Sequence, residues 1–182
     1  MTLNDSWGFQ RSDDHWKPAR QIVRNLISCA RRGGNYLLNV GPRADGSVPA
    51  PSVRLLKQVG AWLRRNGRTV FDTEPTEATG ARFFNCTAKG HTLYVHCFYW
   101  PGESWSIPGL TSKVLSARLV ATGKKVAFTQ QRHRITFRGC PRRAPDGLVS
   151  VVELRCAARP RQLHIDAIRA AMPRPGVNVS FR

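Results

Sequence analysis

Acidic residues are scarce in this 182-residue chain: 11 Asp and Glu stand against 29 Lys and Arg, a net charge of +18. An excess of that size invites phosphate binding, but its placement argues otherwise. Residues 1–77 carry 12 basic and 7 acidic side chains and residues 78–182 carry 17 and 4, so the surplus is spread through the second half rather than gathered on one arm. No nucleic-acid partner is expected from charge of that kind. Long apolar runs are lacking as well. No window approaches the ~18 uninterrupted apolar residues of a membrane span, and Met1–Asp5 does not read as a secretory leader. Cys29, Cys86, Cys97, Cys140 and Cys156 are odd in number and contain no C-x-x-C pair. That removes the usual zinc signal and leaves buried thiols as the reading. The five histidines show no paired spacing, so neither a metal nor a cofactor is implied.

The first part of the chain reads as α/β. Residues 11–32 pattern as an amphipathic helix with Asp13 and Asp14 in the first turn, Arg31 and Arg32 in the last, and Gly33 as the stop. Trp16, Ala19, Ile22, Val23, Leu26, Ile27 and Ala30 form its buried stripe. Tyr36 to Val40 is a nearly continuous apolar run without alternation, which suits a strand covered on both faces. A second helix is expected over residues 52–65, with Val53, Leu56, Val59 and Leu63 inward and Trp62 beside them. Helix, strand, helix is the α/β alternation, yet one strand closes no parallel sheet. Tyr36, Leu37, Leu38, Trp62 and both helix stripes are therefore expected to need strands that residues 1–75 do not supply, so that residues 1–75 alone would be poorly ordered or aggregation-prone.

Beyond about Gly80 the pattern changes to short strands with frequent turns. Residues 83–87 and 92–100 are joined by a hairpin at residues 88–91. Residues 114–121 and 125–129 read as a second hairpin around Thr122-Gly123-Lys124, with further strands at 134–138 and 148–155. An antiparallel sandwich is the expectation. Domain limits of 1–77 and 78–160 follow, with 161–182 as a tail. Leu163 to Met172 has helical patterning, and no role is assigned to it.

Three linked strings, Asn4–Phe9 (NDSWGF), Arg32–Pro49 (RGGNYLLNVGPRADGSVP) and Gly60–Thr73 (GAWLRRNGRTVFDT), resemble the end of the catalytic barrel of the α-L-fucosidases, glycoside hydrolase family 29. Leu93–Ser104, Ile107–Val114, Leu119–Val126 and Ala144–Leu154 are similar to that family's C-terminal β-sandwich. The resemblance implies the last helices and strand of a (β/α)8 barrel followed by an all-β antiparallel sandwich, with the rest of the barrel upstream of Met1. It also implies retaining exo-hydrolysis of terminal α-L-fucose from glycoconjugates. That chemistry uses a nucleophilic carboxylate and an acid/base group. In the family both precede the segment matching Asn4–Gly8, so no catalytic residue is carried over and the chain is expected to be inactive alone.

One site role transfers by resemblance: Trp7, the aromatic of the SWGF-like motif, as a substrate-binding face for the sugar. Asp5, beside it, and Asp45, in the turn after the apolar run, read more readily as turn formers than as replacement catalysts. Asn39 reads as a side chain satisfied by backbone. The alternative to an enzyme is a non-catalytic carbohydrate-binding sandwich using Tyr94, Phe98, Tyr99, Trp100 and Trp105 as a stacking platform, although core packing accounts for most of these. A basic nucleic-acid-binding protein is the more distant alternative. The partner implied by the resemblance is a fucosylated glycan; a homo-oligomer is left open. The compartment is not legible, the family being secreted, periplasmic or lysosomal.

Overall fold

A strand whose every residue is buried needs a layer on each side, and the sequence TLYVHC, Thr92–Cys97, is that strand here. The computed structural model describes residues 1–76 and 83–162. Seven strands form two antiparallel sheets among them: β1 (Phe84–Lys89), β2 (Thr92–Cys97), β3 (Trp105–Pro108), β4 (Val114–Leu119), β5 (Ala127–Gln131), β6 (Arg134–Arg138) and β7 (Ser150–Cys156). The larger sheet runs β1-β2-β7-β4 and the smaller β3-β6-β5. Alternate residues of β2 look opposite ways. Leu93, Val95 and Cys97 join Cys86, Ile135, Phe137, Val152 and Leu154 in a core between the sheets. Tyr94 instead belongs to a second core with Ile22, Val23, Ile27, Val59, Trp62 and Val151.

That second core is where the helices lie, so the molecule has three layers: helices, four-stranded sheet, three-stranded sheet. α1 (Ala19–Arg31) and α2 (Ala50–Asn66) cover the outer face of the larger sheet, and a 3-10 turn, Gly67–Thr69, closes α2. Polar seams fix the layers in register. Trp62 Nε1 donates to Val149 O at 2.8 Å. Asp146 takes Arg65 at 3.1 Å and Asn66 Nδ2 at 3.3 Å. Glu153 holds Arg68 at 2.6 Å and Arg118 Nε at 2.7 Å. Thr87 donates its hydroxyl to Thr69 O at 2.5 Å, which leaves it to accept from His96 Nε2 at 3.0 Å and fixes that imidazole's tautomer.

Several expectations change. The first helix begins at Ala19, not residue 11, with Pro18 as its N-cap. Lys17 precedes a proline and so avoids the α region, and its N–H goes to Leu3 O at 2.9 Å. Asp13 and Asp14 consequently lie outside the helix. The buried face of α2 runs through Ser52, Val59, Trp62 and Asn66 rather than through Leu56, which is exposed. The helix turns so that Trp62 and Asn66 can reach their partners on the 146–149 loop.

The run 36–40 is not a sheet strand: it makes one parallel bridge, Asn39 with Thr2, and Leu37 is 75% exposed. No strand among the described residues flanks it on its other edge. The doubly covered strand predicted there is β2 instead. Trp62 and the inner side of α1 find cover from Tyr94 of β2 and Val151 of β7, residues that lie outside 1–75. The predicted hairpin at 122–124 closes with an antiparallel bridge, Arg118 with Lys125, and then splits: β4 goes on to pair with β7 and β5 with β6, in different sheets. β3 went unanticipated, being four residues long and ending in proline. The helical patterning at 163–172 falls outside the described residues.

Candidate functional site

Two extended segments meet at one end of the helical layer. Met1 N donates to Leu37 O at 2.8 Å, Asn39 N to Met1 O at 2.7 Å and Leu3 N to Asn39 O at 3.3 Å. From this junction residues 4–10 loop outward and return across Gly41. A side chain at position 41 would put its Cβ 2.6 Å from the carbonyl carbon of Gly8 and 2.7 Å from Phe9 N, so the approach requires glycine.

Asn39 completes the grip, its Nδ2 donating to Trp7 O at 2.5 Å. The backbone of Trp7 is thus held from two sides while its indole stands 70% exposed. Asn39 is satisfied by backbone, as its chemistry suggested, and the bond it makes positions the loop. Arg43 lies 5.5 Å from the Phe9 ring centroid and braces the far end of the same loop.

The helix signal had hidden a polar cluster under this loop. Asp13 Oδ2 accepts the N–H groups of Ser6 at 2.8 Å and Asp5 at 3.1 Å. Those bonds, with the Ser6 side chain foremost, hold its carboxyl below the usual carboxylate range. Asp5 Oδ2 lies 3.2 Å from His15 Nδ1, and Asp5 Oδ1 3.7 Å from Lys17 Nζ. One signal could have exposed the cluster: Lys17-Pro18 marks a helix start that leaves residues 13–17 free to fold back.

One donor atom from each of Asp5, Asp13 and His15 lies within 4.8 Å of the others. The Lys17 ammonium at Asp5 and the two N–H groups at Asp13 already occupy the charge that would draw a cation. Nor does the pair suit acid catalysis, which needs a carboxyl whose pKa is raised; that of Asp13 moves the other way. Asp45 sits apart, its Oδ1 accepting Ser47 N at 2.9 Å. Bonds from Ser47, side chain first, lower its pKa too, which is turn chemistry.

The aromatics of the sandwich make no flat exposed face. Tyr94 is buried in the helix-facing core. Trp100 and Trp105 are half-buried and meet edge-on with centroids 6.2 Å apart. Phe98 packs toward the helices under Arg24, and Tyr99 alone of the five is exposed.

Comparison with known proteins gives a consistent result. Residues 1–68 match the family described as alpha-L-fucosidase. Over 102 residues the chain is 35% identical to tissue alpha-L-fucosidase of Mus musculus, covering 53% of this chain and 22% of that protein. Against plasma alpha-L-fucosidase of Homo sapiens it is 26% identical over 125 residues, 64% of this chain and 27% of that one. Among solved structures, alpha-L-fucosidase isoenzyme 1 of Paenibacillus thiaminolyticus superposes with TM-score 0.79 at 32% identity, covering 86% of this chain and 38% of that one. The Thermotoga maritima alpha-fucosidase in complex with fucose gives 0.75 at 26%, with 85% and 38% covered. The chain thus spans about a quarter of the curated relatives' length.

Proposed function

Because the chain belongs to the α-L-fucosidase family, we propose that it carries the sugar-facing end of a retaining exo-fucosidase, with Trp7 as the surface on which α-L-fucose rests. In this reading residues 1–77 are the closing part of a (β/α)8 barrel and residues 78–160 the sandwich attached to it. The bridge between Thr2 and Asn39 is then a pair of adjoining parallel strand ends. Ligands of such barrels sit at the C-terminal ends of the strands, which is where the loops bearing Trp7 and Arg43 would project.

A single observation carries the proposal. An indole at 70% exposure, on a loop fixed by Asn39 and by the Gly8–Gly41 contact, is built to be presented rather than to fill a core. Fucose offers an apolar C–H and methyl face to such a ring. The two-step displacement itself requires two carboxyl groups ~5 Å apart, one of them held protonated as the acid, and Asp13, whose carboxyl is held below the usual range by its bonds from Ser6, is not suited to be that acid. The chain by itself is therefore expected to leave an aryl α-L-fucoside unhydrolysed while retaining weak affinity for the sugar.

The test follows the indole N–H resonances of the five tryptophans as L-fucose is added to millimolar level. The expected result is a shift confined to the signal that disappears in Trp7→Ala. No shift, or movement of Trp100 and Trp105 instead, would overturn the assignment, the latter in favour of a sugar-binding sandwich.

A further inference from the structure

Charge that the sequence spreads along residues 78–182 is partly gathered on one face by the fold. Residues 104–145 hold nine Lys and Arg and no Asp or Glu, and they include the whole of the smaller sheet, β3-β6-β5. Arg118 alone of the nine makes an ion pair among the described residues, with Glu153 of the larger sheet. In the smaller sheet Trp105, Ile107, Phe128, Ile135 and Phe137 turn toward the core, so the alternate residues make its outer face. Register sets these in rows. Ser106, Thr136 and Thr129 cross the middle, Pro108, Arg134 and Gln131 lie on one side, and Arg138 with Ala127 lies on the other. Ser106 and Thr136 share a hydroxyl bond at 2.9 Å, and Arg134, Arg138 and Thr129 are exposed.

Basic side chains on an edge strand discourage sheets from pairing, but β6 is the central strand, so edge protection does not account for Arg134 and Arg138. Opposite charge across the strand pairs would offset them, yet their cross-strand neighbours are Gln131, Pro108 and Ala127. Four residues of strand hold the two arginines about 13 Å apart. That is too far to share one small anion, and it suits successive anionic groups along a chain. The rings of this sheet face inward, so single-stranded bases would find nothing to stack on and a bilayer no apolar anchor. A three-stranded face is also too broad for a duplex major groove, which admits a helix or a two-stranded ribbon. Hydroxyls between two cations fit sulfate instead, whose oxygens accept from a guanidinium and a hydroxyl together. We propose that the outer face of β3-β6-β5 is a docking surface for a sulfated glycan chain, which lies along β6 over Thr136 with its sulfates on Arg134 and Arg138. This surface does not involve Trp7, and it stands or falls apart from the role given to that residue.

The test titrates the full chain with a size-defined heparin oligosaccharide, by calorimetry over a range of salt and by amide shift mapping. Shifts are expected to concentrate on residues 105–108, 127–131 and 134–138. Arg134→Ser/Arg138→Ser is expected to weaken binding by about tenfold and to flatten the dependence of affinity on salt. Arg54→Ser/Arg64→Ser removes the same charge from exposed positions of α2 and is expected to stay within about twofold of the parent. No binding by the parent, equal losses in the two variants, or shifts centred on other elements would overturn the proposal, the second by reducing it to net charge. So would tighter binding, at the same salt, of duplex DNA, of phosphatidylserine vesicles, or of hyaluronan, which carries carboxylates and no sulfate. Should the β6 variant fail to fold, the shift map of the parent decides alone.

Discussion

The sandwich and the helical layer bury apolar side chains to different ends. Between the two sheets the core closes on itself, with Leu93, Val95, Ile135, Phe137, Val152 and Leu154 each at most 1% exposed. The helical layer is one-sided. Ile22, Val23, Ile27 and Trp62 are sealed against the sheet, while Trp7, Leu37, Val48 and Leu56 on other faces of residues 1–66 are open. The core between the sheets is finished by its own residues, and only at its margin do Phe83 and Tyr99 stay open. The other is finished only toward its neighbour, and the loops presenting Trp7 belong to the unfinished side. Apolar exposure of that kind marks a surface made for a partner or ligand, and the contrast can be attacked by mutation.

The largest expected effect is at the shared wall. Trp62→Ala removes a fully buried indole and its bond to Val149, at a cost of about 3–5 kcal/mol. If the two layers fold as one unit, urea unfolding followed by far-ultraviolet dichroism and by Tyr99 exchange should move together to lower denaturant. Separation of the two transitions would show the sandwich to be independent of its helical cover.

A second test uses pH. Burial pushes the imidazole of His96 down to about 3 from 6.5, so the folded protein keeps it neutral where the unfolded chain would protonate it. The unfolded state then binds more protons between those values, and stability falls as pH falls through that window. Between pH 7 and pH 4.5 the loss should be on the order of 2 kcal/mol. His96→Gln is expected to flatten that part of the stability profile, measured as urea midpoint against pH, and an unchanged slope would remove His96 as its source. The smallest effect is expected on the unfinished side: Leu37→Ser should stay within about 0.5 kcal/mol of the parent. A larger loss in thermal unfolding would mean that Leu37 is covered in solution.

How much of this was legible in the sequence depended on what each signal specifies. The strands after residue 83 were readable because turn residues bracket them, and the motif around Trp7 carried its family. A turn signal says that the chain reverses, not which sheet receives it; hence Thr122-Gly123-Lys124 reads as a hairpin, and nothing in it shows that the strands part into two sheets after the Arg118–Lys125 bridge. An apolar run says that a strand wants cover, not that cover exists. Residues 36–40 and β2 both qualify, and only β2 has neighbours on both edges, at β1 and β7. The polar cluster of Asp5, Asp13, His15 and Lys17 was obscured because Asp13-Asp14 before an apolar stripe imitates a helix start. The three-layer arrangement has no local signature at all: its bonds, such as Arg68 with Glu153 and Trp62 with Val149, join residues more than eighty positions apart.

The wall on which the helices rest also orders events in time. Its middle is β2 paired with β7, Ser150–Cys156, the last strand of the described residues. During synthesis α1 and α2 leave the ribosome before β7, and this seat is complete only after residue 156 has emerged. At ~5–20 residues per second that is a wait of several seconds before the apolar stripes of α1 and α2 meet β7.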